Sequence, residues 1–310
     1  MIPSSNTNDN KAIHQLEVQD AATGEWNSAG PVHFVDGASQ STPIPSAVRR
    51  QLPKRVKQWL APNVTSKEAR RPHYLYRHAP NEQPNTNLLV LLHGAGDTHE
   101  PFDKLAQTMA LPQTATLAIS ASRFHPLPFG LGYSWFQEMD YANGQILPQD
   151  HRARRTSLDK AVSNFAELVR MLLDEHWIIA ERIFFMGYGA GASLIMELCQ
   201  VWRRRHSDRP ALGGGICMGG GSAGPPADNE LSNDQGTPIL LLCGAQDEAF
   251  PPFRANEAKM HYEQACGSGL VSVHVEPSKG QGMIATAAEM HAVMTFLASR
   301  LVRVSQMGTC

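Results

Sequence analysis

Residues 182–199 read RIFFMGYGAGASLIMELC: a short apolar strand, a glycine-dense turn and then a helix. That succession is the setting in which a nucleophilic serine is held on a strained turn, in the pattern G-x-S-x-G. Here the five residues are Gly187, Tyr188, Gly189, Ala190 and Gly191. The support of a nucleophile is present and the nucleophile is not.

Outward from this stretch, strands and helices alternate. The strand candidates are HYLYRH (73–78), LLVLLH (88–93), ATLAIS (115–120), RIFFMG (182–187), GGGICMGG (213–220), PILLLCG (238–244) and LVSVHVE (270–276). Several are continuous apolar runs, which suits parallel strands covered on both faces. Helical periodicity is clearest over 157–176, where Leu158, Ala161, Val162, Phe165, Leu168, Val169 and Leu172 recur at three- and four-residue steps. Thr156 and Asp159 give that helix a capping-box-like start. Further helices are expected over 102–110, 190–204, 254–265 and 286–301. The pattern specifies an α/β protein with a doubly wound, mostly parallel sheet, helices on both faces and any site at the carboxyl ends of the strands.

Composition narrows the classes. A chain of 310 residues with 42% hydrophobic content buries a substantial core. Its 27 Lys and Arg against 29 Asp and Glu leave a formal charge of -2, which argues against a nucleic-acid partner. No run approaches the ~20 apolar residues of a membrane span, and the first residues lack the basic and apolar regions of a signal peptide. Five cysteines (Cys199, Cys217, Cys243, Cys266, Cys310) form no C-x-x-C pair and read as reduced thiols of a cytoplasmic protein. Asn63-Val64-Thr65 fits a glycosylation triplet outside a secretory context. Residues 1–70 read as a partly irregular extension with one amphipathic piece near 48–60. Its Arg49, Arg50, Lys54, Arg55 and Lys57 form either a solvated face or a dock for a protein partner. Residues 71–304 form the main domain and 305–310 a tail.

Five segments in order resemble one family. LLVLLHGAGDTHEPF (88–102), GYSWFQ (132–137), RIFFMGYGAGAS (182–193), PILLLCGAQDEAFPP (238–252) and PSKGQGMIATAAEM (277–290) are similar to the successive motifs of the phospholipase/carboxylesterase family, which includes the acyl-protein thioesterases. The resemblance covers roughly residues 73–303 and implies the α/β-hydrolase fold. It places Asp247 at the triad acid, Gly189 at the nucleophile and Met283 at the base, in the chain order of that fold. It also assigns the oxyanion donors to the backbone N–H groups of Ala95 and Ala190. His93 would serve the loop that bears one donor, and Trp135 lies in the S-W-F piece beside the substrate.

Two of the three triad positions are thus filled by residues that cannot act: glycine has no side chain, and a thioether exchanges no proton near neutral pH. Glycine also relieves the strain that a Cβ suffers at an elbow. Ser222 formally satisfies G-x-S-x-G within GGSAG (220–224), but prolines rather than a helix follow it. Ser193, one turn into the elbow helix, is expected to bond a backbone carbonyl. His93, His99, His125, His274 and His291 are weighed as displaced bases, each with a structural role as its default. Without an imidazole, Asp247 is expected to be held by backbone N–H groups or a cation. An inactive or weakly active pseudo-hydrolase follows, needing no cofactor or metal and binding an acyl or ester-like molecule, with FHPLPFGLGYSWF (124–136) as an apolar lining. Two alternatives stay open: a working carboxylesterase with a non-standard nucleophile or displaced histidine, and an interaction module working through residues 1–70.

Overall fold

A computed structural model describes residues 14–19, 26–32, 50–61, 73–122, 124–206, 208–221 and 236–304. Ser222, Arg49, the 63–65 triplet and the 305–310 tail lie outside them. The chain begins with a hairpin, β1 (His14–Gln19) paired antiparallel with β2 (Trp26–Val32). A short helix, α1 (Lys54–Leu60), follows. Then come β3 (Tyr74–Arg77), β4 (Asn87–Leu92), α2 (Glu100–Met109) and β5 (Thr114–Ile119). A two-residue ladder of β6 (His125–Pro126) with β7 (Tyr133–Ser134) precedes the long α3 (Arg152–Asp174). The second half runs β8 (Ile183–Tyr188), α4 (Ala190–Arg205), β9 (Gly214–Met218) and β10 (Ile239–Gly244). It ends with α5 (Pro252–Cys266), β11 (Val271–Glu276) and α6 (Ala287–Ala298).

The seven strands expected from the sequence form one sheet in the order β11-β10-β9-β8-β4-β5-β3, parallel except for β3, which pairs antiparallel with β5. Period-two alternation inside the apolar runs explains the two layers. In β4, Leu88, Val90 and Leu92 enter one core cluster with α1, α3, α4 and α5, whereas Leu89 and Leu91 enter a second with α2 and α6. In β8, Ile183 and Phe185 face the first cluster, and Phe184 and Met186 the second. Both faces of the sheet are therefore covered, which is why these strands read as unbroken hydrophobic runs.

The start of α3 differs from the sequence reading. The helix expected from residue 157 starts five residues earlier, at Arg152, so Thr156 lies inside it and caps nothing. A capping box does occur at α6, where the Thr286 side chain accepts from the Glu289 N–H and Glu289 bonds back to the N–H of Thr286. Residues 50–61 belong to the body: Leu52, Val56 and Leu60 are buried in the first cluster, while Lys54, Arg55 and Lys57 face solvent. Among the described residues no helix is long and apolar enough to cross a membrane.

Candidate functional site

The sheet reverses direction at β4. After β4 the chain crosses to β5 on one side, then returns to β8 on the other, so the two crossovers diverge at the carboxyl ends of β4 and β8. A crevice at that point follows from the topology. The cleft found there has a volume of about 1450 Å³. Gly94 and Ala95 after β4, Tyr188 to Ala190 at the β8–α4 turn, and Gly219 to Gly221 after β9 line it. Glu248 and Ala249 after β10 and Gln281 after β11 close the same end.

Gly189 forms the turn itself, at φ 52° and ψ -113°. Its N–H donates to the Met218 carbonyl at 2.9 Å, which ties the turn to β9. A Cβ added there would come no nearer than 3.9 Å to the Cα of Gly94, so space for a side chain exists and the backbone conformation alone favours glycine. α4 begins at Ala190 with no side-chain cap, leaving the orphan amides of its first turn at the cleft. Ala95 is exposed and lines the opposite lip. The Ser193 hydroxyl lies within 3.2 Å of two carbonyls, those of Gly189 and Gly221, as expected of a structural serine.

Asp247 is 2% exposed. Its Oδ1 accepts the N–H groups of Ala249 and Phe250, both at 2.9 Å. Its Oδ2 faces Gly219, 3.6 Å from where a Cβ would stand on that glycine. Among the described residues no histidine comes within ion-pairing reach of Asp247, and none lines the cleft. His99 bonds the Ser120 hydroxyl through Nδ1, His125 faces Tyr141, His274 lies 3.9 Å from Glu276, and His291 is exposed.

Met283 and Gln281, two residues apart, go to different places. Met283 packs against the second core cluster with Ile284 and is not a lining residue. Gln281 lines the cleft, and its carboxamide donates to the Tyr188 hydroxyl oxygen. The Tyr188 ring is clamped by glycine backbone: a Cβ on Gly94 would stand 2.8 Å from it, and one on Gly219 2.9 Å. Burial and the nearby Asp247 raise the Tyr188 phenol above its usual range, so it stays a neutral hydroxyl. The Tyr188–Gln281 contact was invisible in the sequence, although both residues sit inside quoted motifs.

His93 and Trp135 lie beneath the cleft, not in it. Both are fully buried. The His93 Nε2 accepts the Ala121 N–H at 2.9 Å, so the proton is on Nδ1, which donates to the Gly94 carbonyl at 2.5 Å. Burial pushes its pKa down to about 4. Trp135 donates from Nε1 to the His93 carbonyl at 2.7 Å and packs edge-on to Phe124 and Phe165. These contacts fix the loop that carries Ala95. None of the described residues of 124–136 lines the cleft, and Phe124 and Trp135 are taken up by this stack.

The walls toward α3 and α5 are polar, a feature the sequence reading missed. Arg155 bridges from α3 to the buried Glu197 of α4 at 2.7 Å and approaches Asp159 at 3.8 Å. Glu138 accepts from the Ser134 hydroxyl at 3.1 Å, and burial raises its pKa. Arg154 and Arg254 complete this wall. The available signal was their place in the first turns of two helices, where acidic residues are the favoured choice.

A doubly wound sheet, a strand–turn–helix elbow at its switch point and an acid after the next-to-last strand define an α/β-hydrolase fold. The sequence profile of the phospholipase/carboxylesterase family matches residues 78–301, and the chain belongs to that family. Among curated proteins it is 28% identical over 138 residues to the uncharacterized hydrolase C9G1.08c of Schizosaccharomyces pombe, a match covering 43% of this chain and 53% of that one. It is 29% identical over 160 residues to the uncharacterized hydrolase UM10204 of Mycosarcoma maydis, covering 51% and 56%. The chain thus spans about half the length of these relatives. Two solved structures share the fold at 18% identity. Zea mays acyl-protein thioesterase 2 has a TM-score of 0.55 over 74% of this chain and 98% of that one. The Bacillus cereus carboxylesterase has 0.53 over 71% and 93%.

Proposed function

We propose that this chain is a pseudo-hydrolase: a family member that has lost nucleophile and base and uses the retained cleft to bind an acyl or ester-like molecule. One observation carries this reading. The elbow residue is a glycine in a positive-φ conformation, in a cleft that no histidine among the described residues lines. Asp247 keeps the acid's place with one oxygen satisfied by two backbone donors, so the carboxylate needs no imidazole. Gln281, hydrogen-bonded to Tyr188, stands where a base would have to face the elbow, and a carboxamide takes up no proton near neutral pH. The amides of Ala95 and Ala190 outlast any side-chain substitution and suit a carbonyl oxygen. The four described cysteines are buried free thiols, which supports a place in the reducing cytoplasm.

Incubation with a fluorophosphonate probe followed by intact-mass measurement tests the reading. No adduct is expected, and ester turnover should stay within the modest residual rate that an oxyanion hole and binding supply, at most about 10³–10⁴-fold over water. Stoichiometric labelling of Ser193 or Ser222 would sink the proposal and establish a working esterase with a displaced nucleophile.

A further inference from the structure

Three helices, α3, α4 and α5, begin at the cleft, and none begins as its dipole prefers. None has an acidic residue in its first turn or a side-chain cap. The first turn of α3 instead carries Arg152, Arg154 and Arg155, and that of α5 carries Arg254. Cations at helix N-termini oppose the macrodipole, so this arrangement weakens the helices while adding positive potential to one wall.

The arginines differ in how they are satisfied. Arg155 is accounted for by Glu197 and Asp159. Arg154 lines the cleft with no carboxylate within 4.0 Å among the described residues. It donates to the Leu147 carbonyl at 3.3 Å, and its guanidinium lies 5.3 Å from the centre of the Phe136 ring. Arg254 likewise has no carboxylate in reach among the described residues and rests 5.8 Å from the Phe253 ring. Burial disfavours the charge on Arg154, Glu138 offsets this in part, and repulsion from Arg155 and Arg254 adds to it. Among the buried and half-buried lining groups, Arg154, Arg155 and Arg254 outnumber Glu138 and Glu197 by one. Asp150, Asp159, Glu248 and Glu257, with Arg204 and Arg205, also line the cleft but are exposed at its rim, where solvent and salt screen them.

We propose that the cleft binds an acyl compound that carries a free carboxylate, gripped by Arg154 and Arg254 while its ester carbonyl faces the amides of Ala95 and Ala190. The inference deepens the ligand-binding reading above and rests on it. A guanidinium fork matches the two oxygens of a carboxylate, and no carboxylate among the described residues lies within 4.0 Å of that of Arg154. One monoanionic group balances the excess of one positive charge, and the ester end stays neutral at the elbow, near Asp247. Burial of Arg154 strengthens the pairing relative to a surface site.

Isothermal titration of the full chain with monomethyl glutarate, dimethyl glutarate and inorganic phosphate separates the outcomes. Monomethyl glutarate should bind about ten-fold or more tightly than the neutral diester. That advantage should vanish in about 0.5 M NaCl and in Arg254→Gln or Arg154→Gln. The unsubstituted protein alone decides the comparison of the three compounds, whatever the folding of the variants. If the diester binds as tightly as the monoester, the carboxylate grip is wrong and the ligand-binding reading survives. If phosphate binds as tightly and displaces the monoester, the site is a general anion site and the proposal fails. If no ester binds, both this proposal and the reading beneath it fall.

Discussion

Gly189 holds φ 52° and ψ -113°, a region where a residue with a Cβ is strained by about 1–3 kcal/mol. Because the added Cβ meets nothing closer than 3.9 Å, Gly189→Ser should fold with a stability loss of that size and regain little activity on its own. The second substitution decides the outcome. Met283 is the base position by local frame, yet its side chain belongs to the second core cluster, whereas Gln281 faces the cleft and touches Tyr188. Gly189→Ser with Gln281→His should therefore label with a fluorophosphonate and exceed the product of the two single effects, since triad members act as a unit. Gly189→Ser with Met283→His should not, and should also lose stability by placing an imidazole among apolar side chains. Equal labelling of both double variants would refute the assignment of Gln281. His93 offers a second test at this scale. Its pKa falls from 6.5 in the unfolded chain to about 4 when folded, so the neutral ring is the folded form. Between those values the unfolded chain binds the extra proton. The contribution of His93 is thus fully present above pH 6.5 and is lost as pH falls toward 4, by about 3 kcal/mol in all. Urea melts of the protein and of His93→Gln should show their stability difference narrowing over that window; a constant difference would rule the ring out as the source.

At the level of elements, the loop after β11 is held from both sides. Lys279 and Glu289, 10% and 0% exposed at their side chains, form a short ion pair. Glu289 also accepts the N–H groups of Ala285 and Thr286, while the Gln246 N–H donates to the Lys279 carbonyl. Glu289→Ala leaves a buried ammonium and two amides without their acceptor, so it should cost about 3–5 kcal/mol; Lys279→Met, which leaves those amide bonds in place, should cost less. Chemical denaturation of both variants and the double variant gives the coupling, and equal losses would show that the pair does not hold the loop. How far such elements were readable from the sequence depends on where their signal lay. The edge strands β3 and β11, only partly buried, were legible from alternation. The five inner strands were legible because burial on both faces forces a continuous apolar run. The elbow was legible for the same reason, joined to its glycines. The start of α3 was not: Thr156 and Asp159 have the spacing of a cap, and the arginines that form the true first turn oppose the usual charge preference. Nor was the lining of the cleft legible. The apolar tract 124–136 offers the same residues to a pocket or to a core, and contacts among Phe124, Trp135 and Phe165 settle it as core only in three dimensions.

For the molecule as a whole, the open matter is where the catalytic-type body begins. The family match starts at residue 78, and composition alone suggested an extension ending near residue 70. We propose, from the packing, that the limit lies upstream. Leu52, Val56 and Leu60 are at most 3% exposed in the core shared with α3, and Trp59 meets Phe165 edge-on at 5.4 Å. The backbone around α1 is tied down as well: Tyr76 donates to the Arg50 carbonyl at 2.8 Å, and Trp177 donates to that of Gln51 at 3.0 Å. Phe165 in turn packs on Trp135, which carries the His93 carbonyl and so the loop bearing Ala95. α1 is therefore linked to the cleft through one continuous aromatic chain. A protein comprising residues 50–310 should keep residues 50–61 in place, whereas one comprising 62–310 lacks three core side chains and exposes the surface that they cover. At about 1.5–3 kcal/mol per side chain, the second should melt about 10 °C or more below the first. It should also lose binding of an ester ligand, because the loop carrying Ala95 loses its support. Equal melting temperatures for the two proteins would show that α1 is an appendage and would return the boundary to the neighbourhood of residue 70. Lower stability with unchanged ester binding would keep α1 in the body but break its proposed link to the cleft.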